Sequence, residues 1–81
     1  MQTHLVIEAI NRLAAEQGEK RGDFYYATFS CKEVLDYMDF EITRGHLRHV
    51  AYIVTKGYPE SLVDGGSKQG GRMLNMKIRS K

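Results

Sequence analysis

Residues 29–58, FSCKEVLDYMDFEITRGHLRHVAYIVTKGY, decide the fold of this 81-residue chain because they hold two helical patterns separated by a short connection. Ser30 followed three positions later by Glu33 is a capping-box pattern. It predicts a helix over residues 30–38, with an apolar side formed by Val34, Leu35 and Met38. The tight connection at residues 40–42 then leads directly into the second pattern.

Thr43 is the next capping candidate and predicts a helix over residues 43–56. Gly57 is expected to end this helix in a left-handed conformation, with Pro59 close behind. Helical spacing separates two faces. The apolar face comprises Leu47, Val50, Ala51 and Val54, and the opposite face comprises Gly45, Arg48, His49, Tyr52 and Lys56. No acidic residue occurs between Arg44 and Lys56, so the outer face is expected to be basic.

Upstream, an apolar stripe at helical spacing predicts a helix over residues 3–17, capped by Thr3 and stopped by Gly18. The stripe consists of Leu5, Val6, Ala9, Ile10 and Leu13. Residues 18–23 form a polar pattern with two glycines, which predicts a loop. Aromatic-rich residues 24–29 then predict a short strand.

Downstream, residues 58–79 predict a hairpin whose first strand is weakened by Pro59. Its loop, residues 64–71, is glycine-rich and basic. Alternation in the second strand predicts that Leu74, Met76 and Ile78 point inward. No linker divides residues 1–81, so we expect one small α+β domain of three helices and a small antiparallel sheet.

Charge is distributed unevenly along the chain. Residues 1–42 carry eight acidic and four basic side chains, a net charge of −4, whereas residues 43–81 carry two acidic and eight basic side chains, a net charge of +6. A basic half suggests a face that meets a polyanion. A pair of solvated faces of opposite charge is the alternative explanation.

The order of these elements resembles the winged helix-turn-helix superfamily. The resemblance runs from about residue 29 to residue 79 and rests on Ser-Cys-Lys-Glu-Val-Leu, Ile-Thr-Arg-Gly-His-Leu-Arg, Lys-Gly-Tyr and the glycine-rich loop, which would be the wing. It implies that the helix over residues 43–56 enters the major groove of DNA. The wing would contact the DNA backbone or the minor groove.

Nine residues are the DNA-contacting candidates that the resemblance implies. They are Thr43, Arg44, His46, Arg48, His49 and Tyr52 on the helix, and Lys68, Gln69 and Arg72 on the wing. Arginine pairs well with the edge of guanine, whereas most of the remaining contacts would position the protein on phosphate.

Other chemistry finds little support in the sequence. His46, His49 and Cys31 offer too few ligands at suitable spacing for zinc, so we expect no metal, no cofactor and no enzymatic activity. Asp36, Asp39 and Glu41 suggest an acidic outer face and not a catalytic pair of carboxylates. The lone cysteine and the absence of a leader pattern or an apolar span favour a cytoplasmic protein with no membrane partner.

These observations predict a small sequence-specific regulator of transcription that binds double-stranded DNA. It would act as a homodimer or cooperatively on a repeated site, and its size resembles that of phage- or plasmid-type regulators. The alternative is a protein-interaction module that inhibits or adapts a polymerase or a nuclease. That module would use the acidic side or the aromatic region at residues 24–40, where most rings are expected in the core and Tyr25 is the candidate for an exposed ring.

Overall fold

The computed structural model describes residues 1–64 and 71–80. In this part of the chain, three helices cover one face of a four-stranded antiparallel sheet. The elements are α1 (Thr3–Gln17), β1 (Glu19–Arg21), β2 (Phe24–Ser30), α2 (Cys31–Tyr37), α3 (Arg44–Gly57), β3 (Leu62–Val63) and β4 (Met73–Arg79). The expected α+β class is therefore correct, and the three predicted helices lie within a residue or two of their predicted bounds.

The sheet has the strand order β1-β2-β4-β3. Its centre is the antiparallel pair of β2 and β4, which runs from Phe24 opposite Arg79 to Ser30 opposite Met73. Successive side chains of a strand point to opposite faces, so each of these strands sends alternate residues into the core. The buried ones are Ala27, Phe29, Leu74 and Met76, with Ile78 packed against them.

Helix α1 supplies the largest share of the helical core. Its buried residues are Val6, Ala9, Ile10, Leu13 and Ala14. Two sequence expectations fail at its start. Leu5 is 45% exposed because the buried face of α1 begins at Val6. Thr3 is not the cap, since Gln2 occupies that position and makes no side-chain capping bond.

The loop predicted over residues 18–23 contains a strand instead. Residues Glu19–Arg21 form β1 and pair with β2, from Glu19 opposite Tyr26 to Arg21 opposite Phe24. Gly22, with φ 62°, supplies the left-handed residue of the hairpin turn. All three β1 side chains are exposed, so the strand has no apolar pattern for a sequence reading to detect. Backbone pairing at the sheet edge defines it.

Gly18 is required by close packing where α1 meets the sheet. A Cβ at this position would lie 2.8 Å from the carbonyl oxygen of Tyr26 and closer still to that of Ala14. Because both obstacles are backbone atoms, we expect Gly18→Ala to lower the free energy of unfolding by about 1–3 kcal/mol. Urea unfolding followed by circular dichroism measures this, with Gly57→Ala as the control, since a Cβ there meets nothing within 4 Å. Equal stability of the two variants would contradict the steric argument.

Helix α2 begins with the predicted capping box. The backbone N–H of Glu33 donates to Ser30 Oγ at 3.1 Å, and the N–H of Ser30 donates to Glu33 Oε1 at 2.7 Å. The helix ends at Tyr37, slightly before the predicted residue 38, and Asp39 follows with φ 56°. The N–H of Phe40 bonds to the carbonyl of Leu35, and that of Asp39 to Asp36, which makes a Schellman motif. This motif reverses the chain towards α3.

Helix α3 ends differently from the expectation. Gly57 is its last helical residue and is not left-handed, since the positive-φ glycines of the described residues are Gly22 and Gly71. Tyr58 is the C-cap, and its N–H donates to the carbonyl of Val54 at 3.0 Å. Its hydroxyl donates to Asn11 Oδ1 at 2.9 Å, so the chain leaves α3 towards α1.

Tyr58 makes stability depend on pH in the alkaline range. Burial raises the pKa of Tyr58 to about 12 in the folded chain, above its ordinary value of 10.0. Below pH ~10 the Tyr58 phenol is neutral in both the folded and the unfolded state, so its contribution to the free energy of unfolding is fully present. Between pH ~10 and about pH 12, the Tyr58 phenol keeps its proton in the folded state and loses it in the unfolded state. The free energy of unfolding therefore falls as the pH rises through this range. Because the ring keeps contact with solvent, we expect a loss of about 1–2 kcal/mol, less than the full shift implies. The difference between the parent and Tyr58→Phe in urea unfolding at pH 9 and 11 measures it.

The predicted hairpin over residues 58–79 is shorter in its first strand. In the described part of the chain its first strand is Leu62–Val63, which pairs with β4 and is followed by a bond from the N–H of Asp64 to the carbonyl of Met73. The strand starts no earlier because Tyr58 and Ser61 close a turn over Pro59. Ser61 Oγ accepts the N–H of Lys77 at 2.9 Å and takes the place of a missing strand bond. Residues 65–70, which hold most of the predicted wing, lie outside the described residues.

Candidate nucleic-acid interface

Helix α3 divides into a buried face and an outer face. Val50, Ala51 and Val54 are buried as predicted, and Leu47 packs against the core while only partly enclosed. Ile53 is also buried, which the sequence reading missed. The remaining positions leave a face directed away from the core.

The outer face carries a stripe of four side chains, Arg44, Arg48, Tyr52 and Lys56, which follow each other at intervals of four residues. We call these four residues the basic stripe. All four are exposed, and Tyr52 keeps 58% of its surface. A rise of 1.5 Å per residue makes the stripe ~18 Å long. Lys56 Nζ lies 5.8 Å from the Tyr52 ring centroid, a cation–π contact.

Within the described residues, the arginines of the basic stripe have no ion-pair partner. The salt bridges found there join Arg12 to Glu8, Arg21 to Glu19 and Lys32 to Asp36, in other elements. The first turn of α3 also contains no acid. An anion that approaches this face therefore meets cations that carboxylates have not neutralised.

Thr43 and His46 hold the start of α3 in place. Thr43 Oγ accepts the N–H of His46 at 3.1 Å, which confirms the predicted cap. The Nδ1 atom of His46 lies 2.8 Å from the carbonyl oxygen of Glu41, so this nitrogen carries a proton and donates it. The His46 ring also packs edge-on against Phe40, with centroids 4.9 Å apart. Thr43 and His46 therefore fix the start of α3, and these bonds leave few of their side-chain polar atoms to contact a ligand.

His49 does not belong fully to the outer face, contrary to the helical-wheel prediction. The residue is half-buried, and its Nε2 atom is enclosed with no hydrogen-bond partner among residues 1–64 and 71–80. His49 is next to the buried Val50 and one turn before the buried Ile53, so one side of its ring is covered. Only part of the ring can meet a ligand from outside.

Arg72 lies beside the start of the helical pair. Its backbone carbonyl accepts the N–H of Cys31 at 3.0 Å, which joins the beginning of β4 to α2. Gly71, with φ 81°, lies so close to α3 that a Cβ there would be 3.3 Å from Leu47 Cδ2. The Arg72 side chain is exposed. The other wing candidates, Lys68 and Gln69, are outside the described residues.

Cys31 is fully buried at the start of α2. Burial raises the pKa of its thiol, so the reactive thiolate is disfavoured. Among the described residues, no group of three His, Cys, Asp or Glu side chains is arranged to hold a metal ion. Helices of membrane-spanning length and hydropathy are also lacking in this part of the chain.

Comparison of the chain with protein-family models, with curated proteins and with solved structures gave no match.

Proposed function

We propose that this protein is a winged helix-turn-helix domain that binds double-stranded DNA and regulates transcription. The basic stripe on α3 carries the proposal. It presents exposed cations that have no carboxylate partner in the described part of the chain, on a helix of fourteen residues directly after a short helix and a tight turn. The major groove of B-DNA, ~12 Å wide, admits an α-helix of this kind.

The strand order of the sheet also supports the proposed winged-helix fold. Strand β2 precedes the helical pair, and β4 returns between β2 and β3. This is the arrangement that a three-stranded winged-helix sheet needs, with β1 as an addition at its edge. The connection between β3 and β4 would be the wing, and Arg72 at its end lies beside α2 and α3.

In the proposed complex, Arg44 and Arg48 approach the DNA first. Both precede the middle of α3, where recognition helices meet base edges. Tyr52 and Lys56 lie further along and would contact the sugar-phosphate backbone. Thr43 and His46 would act mainly by fixing the angle at which α3 leaves the turn, since both are bonded within the turn. One copy would read one half-site, so tight regulation is expected from two copies on a repeated site.

The test is fluorescence anisotropy of a labelled random-sequence duplex with the full chain, at ~50 and ~200 mM salt. Binding through phosphates releases counterions, so we expect the affinity to fall by about a factor of 10 or more between the two conditions for a small domain with few contacts. Absence of binding at the lower salt concentration would refute the proposal.

A protein-interaction module is the second candidate, and one feature favours it. On the acidic side formed by α1 and α2, Tyr37 is 38% exposed, and its hydroxyl donates to Glu16 at 2.9 Å. Exposed tyrosine rings are common anchors in protein interfaces. Binding through such an interface would depend only weakly on salt, whereas binding to DNA weakens strongly. Repeating the titration at both salt concentrations with a protein partner in place of the duplex therefore distinguishes the two candidates.

A further inference from the structure

Two aromatic rings lie on the face of the sheet that turns away from the helices. Alternation along β2 directs Tyr25 and Ala27 to the core, and therefore directs Phe24 and Tyr26 to the opposite side. Tyr25 is the ring that the sequence favours as exposed, but in the structure it packs against the core, and Phe24 and Tyr26 lie on the outer face of the sheet. Their centroids are 6.4 Å apart, and both residues are only half-buried.

Three cations accompany the rings. The guanidinium of Arg21 lies 4.5 Å from the Tyr26 centroid, while Lys77 Nζ and the Arg79 guanidinium lie 4.6 and 4.9 Å from the Phe24 centroid. Strand pairing explains the arrangement, because Phe24 faces Arg21 on one side and Arg79 on the other. We call these five residues the ring face.

The electrostatics of the ring face favour an anion. The carboxylate of Glu19 lies 3.7 Å from Arg21 Nε and offsets one of the three positive charges. Beside Tyr26, a groove of about 460 Å³ continues along the sheet past Thr28 and Asn75. Aromatic rings, cations and an open groove on one surface are the components of a stacking platform for a flexible polyanion.

We propose that the ring face binds single-stranded DNA, with bases stacked on Phe24 and Tyr26 and phosphates held by Arg21, Lys77 and Arg79. The spacing of the rings supports a single strand. The two rings are inclined at 56° to each other with their centroids 6.4 Å apart, whereas neighbouring bases of a duplex strand are parallel and ~3.4 Å apart. Bases stacked on both rings would therefore have to be splayed apart, as only a single strand allows.

The cations now above the rings do not prevent stacking. A cation over an exposed ring stabilises less than a base stacked on the same ring. When a strand arrives, its phosphates attract the flexible Lys77 and Arg79 side chains and so uncover the rings. The stacking and phosphate contacts use no 2′-hydroxyl, so the proposal is made for DNA, and the comparison with RNA is part of its test.

This surface is separate from the basic stripe. The helices, α3 included, pack on the core side of the sheet, whereas the ring face is on the other side. Binding of a single strand here does not require α3 to bind a duplex, so each proposal can fail without the other. One protein with both surfaces would hold a duplex and a displaced strand.

Anisotropy of a labelled oligothymidylate of about 15 nucleotides tests the proposal with the full chain at ~50 mM salt. Replacing both rings, Phe24→Thr with Tyr26→Thr, is expected to weaken binding about tenfold or more, because stacking on both rings is lost. Threonine keeps the β-branched shape that suits a strand. Tyr26→Phe, which keeps the ring, is expected to bind within about twofold of the parent.

The matched controls separate the two surfaces. Tyr37→Thr removes an exposed ring elsewhere and is expected to leave binding of the oligothymidylate unchanged. Arg44→Ala with Arg48→Ala is expected to spare it while weakening duplex binding. Parent-like binding by the double ring variant, or an equal loss in the basic-stripe variant, would overturn the proposal. A tenfold preference for oligouridylate RNA over oligothymidylate would overturn the assignment to DNA.

A second measurement reports on stacking directly and does not depend on the stability of the threonine variants. The chain has no tryptophan, so Phe24→Trp introduces a single indole at the ring face, whose fluorescence can be excited separately from that of the five tyrosines. A base stacked on its indole quenches its fluorescence, and we expect saturable quenching by oligothymidylate. Binding seen by anisotropy with no change in this fluorescence would refute stacking at Phe24.

Discussion

Replacing Arg44 and Arg48 together by alanine is expected to weaken binding to a labelled duplex that contains the protein's own site by about 2–6 kcal/mol, which is roughly 30-fold to 2 × 10⁴-fold. Both side chains are exposed on the outer face of α3, and neither has a carboxylate partner among the described residues. Among the described residues they have no hydrogen bond or ion pair to lose, so the loss of affinity is expected to come from the DNA contacts. The free energy of unfolding is expected to change by less than ~0.5 kcal/mol.

Salt dependence makes this prediction specific. Each phosphate contact contributes about −0.9 to the slope of log affinity against log salt concentration. If both arginines contact phosphate, the slope of the double variant becomes shallower by about 2; if one contacts a base, by about 1. The measurement is anisotropy of the same labelled duplex at four salt concentrations.

The control removes the same charge from another surface. Arg12→Ala with Lys20→Ala also lowers the net charge by two, but Arg12 is paired with Glu8 on α1, and Lys20 lies in β1 at the sheet edge. We expect this variant to bind duplex DNA within about threefold of the parent, through the small change in overall charge. Equal effects of the two pairs would mean that binding follows net charge and not the basic stripe.

Phe29→Ala is expected to lower the free energy of unfolding by about 3–5 kcal/mol. Among the described residues, Phe29 is the largest side chain with no exposed surface, and it lies opposite Leu74 near the end of the β2–β4 pair that leads into α2. The total stability of a domain of this size is about 4–12 kcal/mol. The variant is therefore expected to be largely unfolded at moderate urea concentrations that leave the parent folded.

A graded series separates the cavity from the strand position. Phe29→Leu, which keeps most of the volume, is expected to cost about 1–1.5 kcal/mol. Thr28→Ala, at the adjacent exposed position of β2, is expected to cost less than ~1 kcal/mol through its bond to Asn75. Urea unfolding followed by circular dichroism gives all three values. A loss for Phe29→Ala no greater than that for Thr28→Ala would contradict the described core.

The sequence by itself determined the features that depend on neighbouring residues. Ser30 with Glu33, and Thr43 with the N–H of His46, form caps within three residues, so their patterns predicted where α2 and α3 begin. Helical spacing predicted the buried face of α3 and hence the exposed positions of the basic stripe, since an outer face is defined by the inner one. Lys56 belongs to the basic stripe but not to the nine predicted DNA-contacting residues. Its spacing of four residues from Tyr52 is the sequence signal that would have added it.

Only the tertiary structure decided the features that depend on distant segments. Strand β1 has no apolar pattern, and its existence follows from backbone pairing with β2. Gly57 read as a helix stop, but the bond from Tyr58 to Asn11, 47 residues away, sets how the chain leaves α3. The ring face requires Phe24 and Arg79 to be opposite each other across 55 positions of chain, and only the register of β2 with β4 brings them together. Strand register arises from pairing and burial over the whole sheet, so no local stretch of sequence contains it.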